Sequence, residues 1–123
     1  MKYVILVYGN PESREAWAGF SEEERAQGWQ AYAVLNEELA ASGELVVAEA
    51  LADSALARRV TVRDGRPLTS DGPFAEVKEH LAGFLLVECD GPDRAVEIAA
   101  RVPEATLGLV EVRPVLTLGA TDM

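Results

Sequence analysis

A chain of 123 residues, 49% of them apolar, is long enough to close one hydrophobic core and too short for two domains. Its 21 acidic and 11 basic side chains leave a formal charge of −10, which repels phosphate backbones and anionic bilayers, so neither nucleic acid nor a membrane is an expected partner. Cys89 is the one cysteine, which excludes an internal disulfide and a multi-cysteine metal site; with no cleavage-site pattern after the first apolar run, a cytoplasmic location is expected.

The run Tyr3-Val4-Ile5-Leu6-Val7-Tyr8 is apolar at both alternating sets of positions, which predicts a strand over Met1 to Tyr8 covered on both faces. Asn10-Pro11 breaks it, and Pro11 to Gly19 is expected to form a short extra turn. Ser21 stands three residues before Glu24, a capping-box spacing that opens a helix running to Ser42. Trp29, Tyr32, Leu35 and Leu39 form its apolar stripe and Gly43 terminates it. Leu45 to Leu51 and Ala57 to Arg63 read as strands, and Asp64-Gly65 is a tight turn that folds the chain back through Arg66 to Thr69. Leu81 to Asp90 is a further strand. Pro92 opens a second helix, whose Ala95, Ile98, Ala99 and Val102 share one face until Pro103 stops it. Thr106 to Val115 is the closing strand, so the domain spans residues 1–115, and Leu116 to Met123 reads as a loosely held tail.

This order predicts an α+β fold of the ferredoxin-like kind, a mainly antiparallel sheet with two helices on one face. Two helices cover one face only, yet the first strand is apolar on both, and in the last strand Gly108, Val110 and Val112 alternate with Leu107 and Leu109. An uncovered apolar face of several hundred Å² is unusual for a soluble monomer. A second copy, packed sheet to sheet about a two-fold axis, is the expected cover; the alternative is that the tail and the Asp64 hairpin fold over the same face.

Chemistry concentrates between Asp71 and Phe84. Mechanically, Pro73 and Gly72 stiffen a turn, Asp71 caps its amides and Phe74 anchors it. Chemically, the same rigidity holds the Asp71 carboxylate at a pocket rim as a base, close to Glu76, Lys78, Glu79 and His80. In an extended segment Glu76, Lys78 and His80 project to one side; in a helical turn Glu76 faces His80. Either geometry sets a carboxylate by the imidazole, which fixes the ring tautomer for proton transfer. The alternative is a solvated approach to a strand, with Lys78 paired to a glutamate for little net energy. Arg58, Arg59, Arg63 and Arg66 either draw in a small anion or keep an edge hairpin soluble. Tyr8, Trp17 and Trp29 either line a pocket for a planar ligand or belong to the core. The chain carries no phosphate-cradling glycine loop, dinucleotide fingerprint, zinc helix or serine elbow, so no cofactor and no metal are expected.

Asp71-Gly72-Pro73-Phe74, followed by Glu76, Lys78 and Glu79, together with Val110-Glu111-Val112-Arg113-Pro114, resembles the YCII-related family, specifically its branch named after the Asp-Gly-Pro-Phe motif. The resemblance runs from the first strand through Val115 and implies a dimeric α+β barrel. It identifies a family and not a reaction; Lys78 and Glu79 match the branch pattern and His80 does not belong to it. From the residues themselves, Asp71 is read as base or orienting acid, Lys78 as anion-stabilising cation and Glu79 as second carboxylate. More distant members carry a histidine at the start of the first long helix, paired with an aspartate. Residues 21–30 contain no histidine, so that dyad does not transfer. The expected function is acid–base chemistry on a small organic molecule in a pocket near residues 71–80, with Asp71, Glu79 and His80 catalytic and Tyr8, Arg63, Phe74, Glu76 and Lys78 binding. The alternative is a non-catalytic regulatory module, because members of this branch accompany sigma-factor-type transcription regulators.

Overall fold

Alternation along the apolar runs decides which side of each strand meets the helices. The computed structural model describes residues 1–117: β1 (Lys2–Gly9), α1 (Pro11–Ala18), α2 (Glu22–Ser42), β2 (Leu45–Ala50), β3 (Arg58–Arg63), β4 (Arg66–Asp71), β5 (His80–Glu88), α3 (Pro92–Ala100) and β6 (Val110–Pro114). The main sheet has the order β2-β5-β1-β6 with every neighbour antiparallel, while β3 and β4 pair with each other as a separate ribbon. This is the ferredoxin-like arrangement, with the ribbon inserted between the second and third strands of the sheet.

Tyr3, Ile5 and Val7 of β1 and Leu85 and Val87 of β5 are buried on one face, against Leu35 and Leu39 of α2 and Ala95, Ile98 and Ala99 of α3. Burying each large aliphatic side chain contributes about 1.5–3 kcal/mol, so this layer carries most of the stability. Gly83 of β5 is required by close packing of strands: a Cβ there would lie 2.9 Å from the Glu49 carbonyl oxygen of β2.

Local signals set the helix ends. Ser21 Oγ accepts from the Glu24 amide at 3.1 Å and Glu24 Oε1 accepts from the Ser21 amide at 2.9 Å, the expected capping box. The segment expected as a short turn is an eight-residue helix, α1, because Asn10 and Ser13 form a second capping box in front of Pro11. Glu44, just after α2, receives two bonds from Arg94 of α3, at 2.9 and 2.8 Å, which clamps the two covering helices together.

Two expectations about apolar faces need correction. Trp29 is 56% exposed and meets Trp17 of α1 edge-on at 5.6 Å, so Trp17 and Trp29 belong neither to the core nor to a pocket with Tyr8. The closing strand starts at Val110, because Pro103–Leu107 forms a 3-10 turn. Leu107 is therefore exposed in that turn and Leu109 is buried ahead of the strand, while Glu111 and Arg113 fall opposite Leu6 and Val4 on the uncovered face. That face is still apolar at its centre, where Val4, Leu6, Phe84, Leu86 and Val47 are half-buried. The ribbon does not fold over it as a cover, since each residue of β4 is exposed. The tail beyond Thr117 lies outside the described residues. Among these, no helix is long and apolar enough to cross a membrane.

Candidate functional site

The ribbon ends at Asp71, and the chain turns back toward the sheet through Gly72, whose φ of +82° suits glycine alone at low cost. The turn is tied by the Gly72 amide donating to the Ala57 carbonyl at 2.7 Å, so the capping expected of Asp71 is supplied by backbone. Val77 N–H bonds the Phe74 carbonyl at 3.2 Å, and β5 then begins at His80, opposite Gly9 at the end of β1. The 77–80 segment is thereby laid beside the start of α1.

This segment separates two depressions. On one side an open cleft of about 690 Å³ lies between Tyr8, Glu12, Lys78, Glu79 and Glu111. Tyr8 donates its phenolic proton to Glu111 Oε1 at 3.1 Å. Partial burial, then the bond to Glu111 and its charge, raise the Tyr8 pKa above its ordinary value, so the phenol is a donor at neutral pH. On the other side a pocket of about 100 Å³ is bordered by Arg14, Asp53, Ser54 and His80.

The predicted site residues are accordingly divided. Tyr8, Lys78 and Glu79 are brought together in the cleft. His80 faces the smaller pocket; its ring bonds Ser54 Oγ and the Val77 carbonyl, each at 2.9 Å, in place of a carboxylate. Asp71 and Arg63 are exposed on the ribbon, Asp71 opposite Arg58 and Arg63 opposite Arg66 at its tip, away from both depressions. Glu76 is exposed in the turn and forms no wall of the cleft. Phe74 is no buried anchor: it is 64% exposed and sits under the Arg59 guanidinium at 5.3 Å, because the turn leaves it against the ribbon and not the core.

The YCII-related domain matches residues 1–118. The chain belongs to the YCII-related family. An uncharacterized protein of Rhizobium meliloti (strain 1021) is 31% identical over 116 residues, covering 93% of this chain and 91% of that one. Among solved structures the chain is similar to the 5-chloro-2-hydroxyhydroquinone dehydrochlorinase TftG from Burkholderia phenoliruptrix AC1100, in complex with 2,5-dihydroxybenzoquinone. The TM-score is 0.53 at 17% identity, with 94% of each chain covered. At that identity the likeness is one of fold.

Arg14, Asp53 and Ser54 were not legible as site residues. Asp53 and Ser54 reach His80 only because β2 pairs with β5, continued by the Leu51 amide donating to Ala82 O at 2.8 Å. Asp53 then accepts from the Ala55 amide at 2.8 Å and from Arg14 at 2.8 Å. The Ala55 bond first, and the nearby Arg14 and His80, hold its carboxyl below the usual range. A spacing of 26 residues between Ser54 and His80 matches no local motif, so no signal in the sequence marks the pair.

Proposed function

We propose that the chain acts, as a cytoplasmic homodimer, on a small organic molecule by acid–base chemistry in the cleft between Tyr8, Lys78 and Glu79. The observation that carries this reading is the convergence of a phenol, an ammonium and carboxylates from β1, the 77–79 segment and β6 on one cleft of about 690 Å³. That volume lies within the roughly 300–1,000 Å³ typical of small-molecule sites. Asp71 stands outside the cleft, so the proton-accepting role passes to Glu79. Lys78 steadies negative charge developing on the bound molecule, and Tyr8, kept protonated, orients it. The similar fold of TftG, whose structure holds a small dihydroxyquinone, gives further support to a small carbonyl or hydroxyl compound as ligand.

The dimer rests on the uncovered sheet face. Val4, Leu6, Phe84, Leu86 and Val47 form an apolar centre with Glu111 and Arg113 beside it, a surface that a two-fold copy covers without leaving charges at its middle. Light scattering should give twice the 13.2 kDa chain mass, and Leu6→Asp should halve it; a monomeric wild type at working concentration would remove the dimer.

A thermal-shift screen of small hydroxylated carbonyl compounds, 2,5-dihydroxybenzoquinone among them, tests the cleft. A compound that stabilises the wild type and not Lys78→Ala supports the reading; equal shifts for both place the ligand elsewhere and sink it. A screen without any hit on an intact dimer favours the non-catalytic regulatory module.

A further inference from the structure

The smaller pocket holds a second arrangement that the cleft chemistry does not use. A carbonyl oxygen only accepts, so the 2.9 Å contact between His80 Nε2 and the Val77 carbonyl requires Nε2 to carry the proton. In the neutral ring Nδ1 is then the lone-pair nitrogen, and its 2.9 Å contact with Ser54 is a bond donated by the Ser54 hydroxyl. A hydroxyl beside an imidazole base that is itself oriented by a third group is the geometry of an activated nucleophile.

Ser54 is also held in place. It opens the 3-10 turn Ser54–Leu56, which Asp53 caps through the Ala55 amide at 2.8 Å. Asp53 also pairs with Arg14, which borders the same pocket, one guanidinium nitrogen lying 2.8 Å from the carboxylate. A hydroxyl, a base and a cation thus surround a space of about 100 Å³. The space is small and open on one side, and it admits a short acyl group such as acetyl.

We propose that Ser54 and His80 form a nucleophile–base pair that hydrolyses short-chain acyl esters of acidic alcohols such as phenols. Ser54 Oγ bonds to the ester carbonyl carbon while its proton passes to His80 Nδ1, and the carbonyl oxygen gains negative charge beside Arg14. The tetrahedral adduct collapses by breaking the carbon–oxygen bond to the alcohol, which leaves with the proton from Nδ1. Water then adds to the acyl-Ser54 carbonyl, giving a proton to Nδ1. The bond to Oγ breaks and Oγ recovers that proton, so ester and water become acid and alcohol.

Hydrolysis of 4-nitrophenyl acetate by the full chain tests this, with a peptide map of the protein quenched during turnover. The expected results are acetyl on the peptide containing Ser54, loss of the rate in Ser54→Ala, and a rate at least about 100-fold lower in His80→Gln. Unchanged turnover in Ser54→Ala, or acetyl only on lysines, would overturn the pair. Should Ser54→Ala fail to fold, the wild-type map decides: acetyl on Ser54 supports the assignment and its absence there ends it. Lys78→Ala binding data bear on the cleft alone, so the two proposals fail separately.

Discussion

Ile5 is fully buried and Val62 is 68% exposed, although both are β-branched residues within antiparallel strands. The difference is what lies above them. Ile5 faces α2 and α3 across a four-stranded sheet, whereas Val62 belongs to a two-stranded ribbon with no layer against it. A ribbon alone is marginal in water, so β3 and β4 depend on their turn and on their ladder, which the bond from Gly72 to Ala57 extends by one step. The main sheet draws its stability from burial, and the ribbon from backbone pairing. The candidate site lies where the chain passes from one regime to the other.

Truncation in the covered layer is the most severe way to test this contrast. Leu39→Ala should cost about 2–5 kcal/mol in chemical denaturation, because a side chain only 1% exposed leaves a cavity. A loss below the lower figure would mean that the layer packs loosely. Gly83→Ala should follow at about 1–3 kcal/mol, since the new methyl must push the Glu49 carbonyl and with it the β2–β5 ladder. Ser21→Ala, which removes the cap of the covering helix α2, should cost about 1 kcal/mol in the same measurement.

The clamp between the covering helices reads out through pH. Bonds from Arg94, and then Ser42, hold the Glu44 carboxyl at about 2, against 4.5 for the free group. The stability contributed by the charged form is fully present above pH 4.5 and is lost as the pH falls toward 2. Thermal melts of wild type and Glu44→Gln should therefore differ most above pH 4.5 and converge near pH 2; parallel curves would show that the clamp contributes nothing. The smallest effect belongs to the ribbon: Val60→Ser, at a position 65% exposed, should stay within about 0.5 kcal/mol. A larger, concentration-dependent loss would show that a second copy reaches over the ribbon.

The elements were legible where chemistry is local. The Ser21–Glu24 box, the Asp64-Gly65 turn and the i, i+3, i+4 face of Ala95, Ile98 and Ala99 each depend on neighbours within a few residues, and each is found where the pattern places it. Trp29 and Leu107 misled because an apolar side chain at the right period states a preference for burial but does not supply a partner. Asn10 was legible as a strand breaker only, since its cap requires Ser13 to bond back.

The site was legible only in part, for the same reason. Lys78 and Glu79 follow a stiff turn and lead into an apolar strand, which marks them as candidates, and the fold brings Tyr8 to them from the end of β1. The separation of Asp71 from that cleft, and the meeting of Ser54 with His80, depend on where the inserted ribbon leaves and rejoins the sheet.

By itself, then, the order of residues determined the fold class, the ends of α2, the start of α3 and the turn at Asp64-Gly65, because periodicity and capping act over one or two turns of chain. Tertiary structure decided which acids and bases share a pocket. Strand pairing joins residues tens of positions apart, as it joins Ser54 to His80, and no short-range rule encodes that register.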